Sequence, residues 1–388
     1  MQISLLTDGI FPYTMGGMQK HSYYLTKYLA RAGVMVDVYY GLTEGMSVPE
    51  KYDEYSEEEL NNIRFFPLNF PKSGRYPGHY IIENYYFSKR VNKELIRHST
   101  PDFIYIQGFA GWYFLQNRRK QRAWNKIKTG INFHGLNMFQ TPPSKFSIPS
   151  YYSFKFFALL NLNKTDHIFS LGGKLTTILQ NSGFQKKVIE TPIGIARSWL
   201  TTSPIPNNSL KRSFVFIGRY DRLKGVEELS NVIYANISNA FSSSEFHFIG
   251  PIPENKQIKG LPKVKYYGAI NDENRIKEIL RGCDVLICPS WSEGMPTVIL
   301  EAMASGCAII ATDVGAVSEQ VDASNGILIE PGNKPELKAA IERMIALPAE
   351  QLLEMKKASI KRVEEKFLWD KVAELTIAEI KKIIENRP

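Results

Sequence analysis

Two glutamates stand eight residues apart in the run Pro289-Ser290-Trp291-Ser292-Glu293-Gly294-Met295-Pro296-Thr297-Val298-Ile299-Leu300-Glu301-Ala302-Met303-Ala304-Ser305-Gly306. The residues around them build a helix mouth. Pro296 suits the first helical position and Gly306 the residue just past the last, so Thr297 and Val298 carry backbone N–H groups with no intrahelical acceptor. Free N–H groups and the helix dipole together attract anions. Glu293 then lies in the loop above that mouth, Gly294 and Met295 join loop to helix, and Glu301 falls on the second turn. Taken alone, two such glutamates read as solvated charges. Taken with the mouth they flank an anion site, and a nucleotide diphosphate sugar has the phosphates and hydroxyls to fill it.

A second run supplies the opposite charge: Gly218-Arg219-Tyr220-Asp221-Arg222-Leu223-Lys224-Gly225. Arg219 can fork onto two phosphate oxygens and Lys224 adds a point charge, which suits a diphosphate that gains negative charge as it leaves. The plainer reading is a turn with solvated cations. Met15-Gly16-Gly17-Met18 is a glycine turn between the first strand and the first helix. Its spacing is not the G-x-G-x-x-G of dinucleotide-binding folds, which disfavours an NAD(P) oxidoreductase. His134, at the end of a strand and before Gly135, reads by itself as a satisfied structural residue.

These residues need a scaffold of buried strands and covering helices. Short apolar runs such as Ser213–Ile217, Asp284–Cys288 and Cys307–Ala311 alternate with amphipathic stretches, the pattern of an α/β chain with parallel sheets. Strand signals fall at 2–7, 34–40, 103–107, 130–134, 167–170 and 188–191, then resume at 213–217, 245–249, 264–267, 284–288 and 307–311. A helix near 17–32 closes at Gly33. The proline-bearing stretch from Ser198 to Ser213 interrupts the pattern, so two doubly wound units are expected in series, with the ligand in the cleft between them. A Lys-, Glu- and Leu-rich tail from 334 to 385 is expected to be helical, with Phe367 and Trp369 giving its last helix a docking face. At 388 residues and 44% hydrophobic the chain has material for two cores.

The spacing Glu293-x7-Glu301, the Gly-Met-Pro-Thr opening between them and the Gly218-Arg219-x4-Lys224-Gly225 segment together resemble the retaining glycosyltransferases of family 4 (glycosyl transferases group 1). The resemblance is specific over 213–318 and looser over 2–40 and 167–195. It implies the GT-B fold, two Rossmann-like domains facing across a cleft: an acceptor-binding domain at 1–195, a donor-binding domain at 196–365, and a C-terminal helix at 366–388 returning to the first domain. By that resemblance Arg219, Lys224, Glu293 and His134 serve catalysis, while Gly16, Gly17, Gly218, Gly294, Met295, Pro296, Thr297, Val298 and Glu301 bind the donor. Glu301 takes the ribose and Glu293 the transferred sugar. The reaction implied is transfer of a hexosyl unit, with retention of configuration, from a nucleotide-diphosphate sugar (UDP first, then GDP or ADP) to a glycan or lipid-linked acceptor in surface polysaccharide or glycoconjugate synthesis. Other readings in the same fold are a nucleotide-sugar epimerase, a hydrolase or a non-catalytic nucleotide-sugar-binding protein. At Thr191-Pro192-Ile193-Gly194-Ile195-Ala196 the chain departs from the family's Asn-Gly followed by Asp.

No cofactor is expected beyond the donor itself. The six histidines and three cysteines show no metal-ligand spacing, and no D-x-D pair occurs. Net charge is +9, and residues 1–195 hold 23 Lys+Arg against 14 Asp+Glu while 196–388 hold 25 against 25. The first half is therefore expected to meet an anion. Arg118, Arg119, Lys120 and Arg122 read either as a solvated face or as an attachment to an anionic membrane surface or a phosphorylated lipid acceptor, with the aromatic stretch Tyr151–Leu160 beside it. No nucleic-acid module accompanies them. The chain opens without a basic leader and has no apolar run long enough to span a bilayer, which places it in the cytoplasm, as a soluble or peripheral protein.

Overall fold

The computed structural model describes residues 1–43, 45–74, 76, 78–98, 100–120, 122–140, 148–207 and 211–386. Its strands are β1 (Gln2–Thr7), β2 (Met35–Leu42), β3 (Ile63–Asn69), β4 (Phe103–Gln107), β5 (Lys128–Asn132), β6 (His167–Ser170), β7 (Val188–Glu190), β8 (Arg212–Ile217), β9 (Ser244–Ile249), β10 (Val264–Tyr266), β11 (Val285–Cys288), β12 (Ala308–Thr312) and β13 (Gly326–Ile329). They form two sheets, ordered β3-β2-β1-β4-β5-β6-β7 and β10-β9-β8-β11-β12-β13. Every described pairing is parallel. Helices cover both faces, so the central strands are buried throughout: β4, β11 and β12 have no partly exposed residue.

In each sheet the strand order reverses beside the first strand, between β1 and β4 and between β8 and β11. A crevice opens where neighbouring crossovers leave in opposite directions, and ligands bind there at the strands' carboxyl ends. The loop after β1 carries Gly16 and Gly17, and β4 ends on Gln107. The loop after β8 carries Gly218 to Gly225, and the loop after β11 carries Glu293. Chemistry-bearing residues therefore cluster at the two switch points because of topology.

Two strands lie outside the sequence expectations. β3 contains Pro67, which cannot donate to a ladder, but β3 is an edge strand paired only with β2. β13 has four residues, too few to stand out from a loop. β5 also stops at Asn132, short of the expected 134, because His134 turns into the left-handed region at φ 59°.

The chain passes between the sheets near residues 191–196 and returns near 367–369, and the two crossings are tied together. The Ile195 N–H donates to the Phe367 carbonyl at 2.7 Å and the Trp369 N–H to the Ile195 carbonyl at 3.1 Å. Helix Trp369–Glu385 then packs on helix Gly17–Arg31. Trp369 is 1% exposed, stacked on Tyr24 and Tyr28 at 5.6 and 6.1 Å and edge-on to His21 at 5.3 Å. One indole thus joins the C-terminal helix, the first helix and the cleft. We expect Trp369→Ala to cost about 3–5 kcal/mol, the usual range for emptying a fully buried aromatic site. Chemical denaturation measures it, and a loss below about 1 kcal/mol would contradict this role.

Candidate active site

The donor-side loop is built by close packing. Helix Thr297–Ala304 ends in a Schellman turn, with the Gly306 N–H on the Met303 carbonyl (3.0 Å) and the Cys307 N–H on the Ala302 carbonyl (2.9 Å). Its N-cap is Pro296, whose ψ of 118° is extended, so the proline sits one position before the first helical residue expected for it. No side chain caps this end, which leaves Thr297 and Val298 as donors. Gln320 holds the Pro296 carbonyl at 3.1 Å. Met295 is buried, its sulfur 3.3 Å from the Ile193 N–H, so its side chain braces the domain crossing while only its backbone belongs to the loop. Gly294 is fixed by contact with the opposite domain: a Cβ there would lie 2.2 Å from the His134 carbonyl oxygen.

The cations approach from β8. Gly218 follows the strand and donates its N–H to the Ile249 carbonyl at 2.9 Å. Asp221 caps the short 3₁₀ turn Arg222–Lys224 through the Leu223 N–H. Gly225 closes it at φ 65°, where a Cβ would meet the Pro289 carbonyl oxygen at 1.9 Å. This contact lays the cationic turn directly on the acidic loop. Lys224 Nζ reaches Glu293 Oε1 at 2.7 Å, and Ser290 Oγ donates to the same oxygen at 2.7 Å. Burial works against the Lys224 ammonium, but the Glu293 carboxylate more than offsets it and the net pKa shift is upward. Arg219 is exposed, and its charge opposes that of Lys224. Lys224 has Glu293 as its counter-ion, while the exposed Arg219 stands ready for an anion.

Glu301 points into a cavity of about 30 Å³ between the domains, with Lys20, Glu273, Thr297 and Trp369 around it. Burial pushes its carboxyl up to about 7; Lys20 and Lys277 pull it down and Glu273 pushes it up. The acid is set to meet hydroxyl groups in a dry place.

The facing wall comes from the first sheet. His134 and Gly135 abut Gly294, Gln140 Nε2 donates to the Glu293 carbonyl at 3.0 Å, and Ser292 Oγ to Asn137 Oδ1 at 2.9 Å, so the cleft is closed at this point. His134 Nε2 lies 2.5 Å from Gln107 Oε1, and Gln107 Nε2 lies 3.1 Å from His21 Nδ1. An amide oxygen only accepts and an amide nitrogen only donates. With the amide in this orientation, His134 carries its proton on Nε2 and presents Nδ1 as a bare acceptor, and Nδ1 has no partner among the described residues. Burial drops the His134 pKa to about 3 and lowers that of His21 as well, so both rings are neutral at physiological pH. Nδ1 is itself buried, so a ligand hydroxyl reaches it only after a local shift. As a neutral ring His134 cannot act as a cation. Gly16 is the N-cap of helix Gly17–Arg31, and a Cβ on Gly17 would meet nothing within 4 Å, so the start of that helix is open to a ligand.

Residues the sequence reading missed complete this wall. Asp8 directly follows β1, accepts from Gln19 Nε2 at 2.8 Å, and is raised to about 6 by burial. It lines a cavity of about 330 Å³ with Tyr80, Asn84, Phe109, Tyr151 and Phe154, and Leu223 reaches in from the cationic turn. Its position at the end of the central strand was the available signal. The basic cluster is corrected in part: Arg118 turns inward to Asp166 (2.7 Å) and Thr129 (3.2 Å), while Arg119 and Lys120 are exposed and the side chain of Arg122 lies outside the described residues. Among the described residues no group of three or more His, Cys, Asp or Glu is placed to hold a metal.

A family model described as Glycosyltransferase Family 4 matches residues 15–197, and one described as Glycosyl transferases group 1 matches 211–346. The chain is a family 4 glycosyltransferase. Known relatives and folds agree. The chain is 30% identical over 171 residues, 42% of each chain, to TuaC of Bacillus subtilis, a glycosyltransferase named for teichuronic acid biosynthesis. It is 27% identical to the uncharacterized glycosyltransferase MJ1178 of Methanocaldococcus jannaschii over 82% of this chain and 85% of that one. It is 31% identical to the N,N'-diacetylbacillosaminyl-diphospho-undecaprenol alpha-1,3-N-acetylgalactosaminyltransferase of Campylobacter jejuni over 31% of this chain and 32% of that one. Its match thus spans under half the length of TuaC and of the Campylobacter enzyme. The GT-B fold is shared with a sucrose-phosphate synthase of Thermosynechococcus elongatus (TM-score 0.76, 18% identity, 99% of both chains) and with Anabaena HepE solved with UDP and glucose (TM-score 0.65, 16% identity, 99% of this chain and 100% of that one).

Because the folded pKa of Glu301 lies above its ordinary 4.5, folding retains a proton that the unfolded chain releases. That contribution is full below about 4.5 and is lost as pH rises through about 7. Replacing Glu301 by Gln in the unliganded protein is expected to remove a fall in stability of up to about 3 kcal/mol across this interval. Urea unfolding at pH 4.5 and pH 8 checks it, and an unchanged pH slope in the variant would count against the assignment.

Proposed function

We propose that this glycosyltransferase moves a hexosyl unit from a nucleotide-diphosphate sugar, UDP-sugar first, to a glycan or lipid-linked acceptor, with retention of configuration and without a protein-held metal. The carrying observation is the Arg219–Lys224 turn laid on the acidic loop 289–293 that leads into the helix mouth at Thr297 and Val298, with Glu293 in that loop and Glu301 on the helix. Phosphates at the mouth meet N–H donors and two cations, the ribose falls to Glu301, and the transferred sugar lies between Glu293 and the His134 face. The division of labour follows: 1–195 holds the acceptor, 196–365 holds the donor, and the helix at 366–388 ties one to the other. The printed names of the relatives, which include a teichuronic acid enzyme and a transferase acting on a diphospho-undecaprenol sugar, support a surface-glycan role.

Bond breaking leaves a nucleoside diphosphate with extra negative charge and an oxocarbenium-like sugar, so the chief task is to hold the leaving group. Arg219 and Lys224 do so, each worth roughly 1.5–3 kcal/mol as a charge-assisted contact. This is a minority of the about 8–23 kcal/mol that enzymes supply. Positioning and water exclusion in the closed cleft supply much of the rest. Arrival of the diphosphate recruits Lys224, which in the empty site neutralises Glu293. Retention calls for attack on the face the leaving group departs from, with a phosphate oxygen taking the acceptor proton. Neutral His134 contributes an acceptor for a sugar hydroxyl, and Asp8 in the aromatic cavity is placed to hold a hydroxyl of the incoming acceptor.

A thermal-shift panel of UDP-, GDP- and ADP-sugars tests the donor assignment, because a donor at 100 times its Kd adds about 2.7 kcal/mol of stability. No shift with any of the three would overturn it. Arg219→Ala and Lys224→Ala are each expected to lower turnover by roughly 100- to 1000-fold, as loss of an oxyanion donor does. Full activity in both variants would remove the clamp. Chelator should leave turnover unchanged, and release of nucleotide from donor and water alone should be slow.

A further inference from the structure

The outer side of the first sheet carries a surface that sugar transfer does not use. In helix His79–His98 the core positions are Glu83, Asn84, Phe87, Val91 and Leu95. Ile82, Tyr85, Tyr86, Lys89, Lys93 and Ile96 recur at three- and four-residue intervals on the other side, and all are exposed. Helix Ile148–Lys164 does the same with Tyr152 and Phe156, which are 71% and 59% exposed. The two helices are linked through rings: Tyr86 to Tyr85 (5.9 Å), Tyr85 to Trp112 (5.2 Å), Trp112 to Phe157 (5.0 Å) and Phe157 to Phe156 (5.3 Å). The exposed rings of the two helices flank a shared aromatic seam through the buried Trp112, so they are not singly scattered residues.

Basic residues continue the patch. Lys89, Lys93 and Arg97 border a groove with Tyr86 and Tyr113, and the Lys89 ammonium stands 6.0 Å over the Tyr113 ring. Of the helix's acids, Glu83 turns inward to Ser73 and Glu94 pairs with Arg97 and His98, so the patch's charge rests on Lys89 and Lys93. Tyrosines beside lysines with long apolar stems are the side chains that settle at a headgroup boundary. Both helices also wall the aromatic cavity of the cleft, through Tyr80 and Asn84 on one and Tyr151 and Phe154 on the other. The outer face and the cavity are thus carried by the same two helices.

We propose that this face docks on an anionic membrane surface and sets the cavity at the headgroups, which makes the acceptor a sugar carried on a lipid phosphate. The second clause rests on the assignment of the cavity to the acceptor; the docking itself does not. The positive excess of the first half, 23 basic against 14 acidic residues in 1–195, gives the face its long-range attraction. A soluble acidic glycan would engage the lysines and stack on a ring, but it would leave the exposed aliphatic side chains Ile82 and Ile96 of the same face without a role.

Flotation of the full chain with phosphatidylcholine vesicles, with and without phosphatidylglycerol, tests the proposal. Binding is expected only to the anionic vesicles and should weaken with salt. Lys89→Gln with Lys93→Gln is expected to reduce the partition about 25-fold, about fivefold per cation. Tyr86→Ser with Phe156→Ser should reduce it as well, and both pairs should keep the thermal shift with nucleotide sugar, which reports an intact fold. Unchanged partition in either pair, or equal binding to neutral vesicles, overturns the proposal. So does tight capture by soluble heparin that the ring variants leave intact, the mark of an acidic-polymer site. If vesicles bind as expected and no nucleotide sugar shifts the melting temperature, the donor reading fails and the docking surface stands; the reverse result removes the surface alone.

Discussion

The contact between His134–Gly135 and Glu293–Gly294 is the constraint on which the site depends. Backbone meets backbone there, with no room for a side chain on Gly294. Two parallel sheets, each with its switch point at the carboxyl ends of its strands, are thereby brought mouth to mouth. The approach draws Gln140 and Asn137 onto the acidic loop and sets His134 against Gly294. It also half-buries Lys224, Glu293 and Glu301, which strengthens the charge interactions among them.

Charge in the cleft is arranged so that the unliganded protein tolerates it. Lys224 is paired with Glu293, Glu301 is kept near neutrality by burial, and both histidines are uncharged. Among the described residues, the exposed Arg219 alone offers an uncompensated cation at the phosphate end. A dianionic ligand therefore completes a set of partial pairings without requiring side chains to be charged anew. Trp369 serves the same geometry mechanically: the C-terminal helix returns across both crossings and its indole seals the side of the cleft by His21.

The outer face of the first domain follows a different rule. Helices that cover a sheet normally turn polar residues outward, yet Tyr85, Tyr86, Tyr152 and Phe156 stand in solvent beside Lys89 and Lys93. The basic residues that stand out in the sequence, around Arg118, are not the ones that define this surface. Arg118 is drawn into the sheet edge by Asp166, a residue 48 positions away that a linear reading does not bring beside it.

By itself the sequence determined what local pattern encodes: the parallel strands of two α/β units, the helix mouth after Pro296, the turn from Gly218 to Gly225 and the helical tail. Apolar runs, capping residues and the spacing of Glu293 and Glu301 act within a few turns of chain, so they can be read without a fold. Edge strand β3 and short β13 were not legible, since Pro67 is tolerated only because a neighbour is absent and four residues carry too little pattern. The tertiary structure alone decided the partners. That Lys224 grips Glu293, that Met295 braces Ile193, that Gln107 fixes the tautomer of His134, and that Asp8 sits in an aromatic cavity all depend on contacts between residues 27 or more positions apart in the chain. Such pairings are set by how the sheets twist and close on one another, a property of the packed whole that no local window of sequence contains.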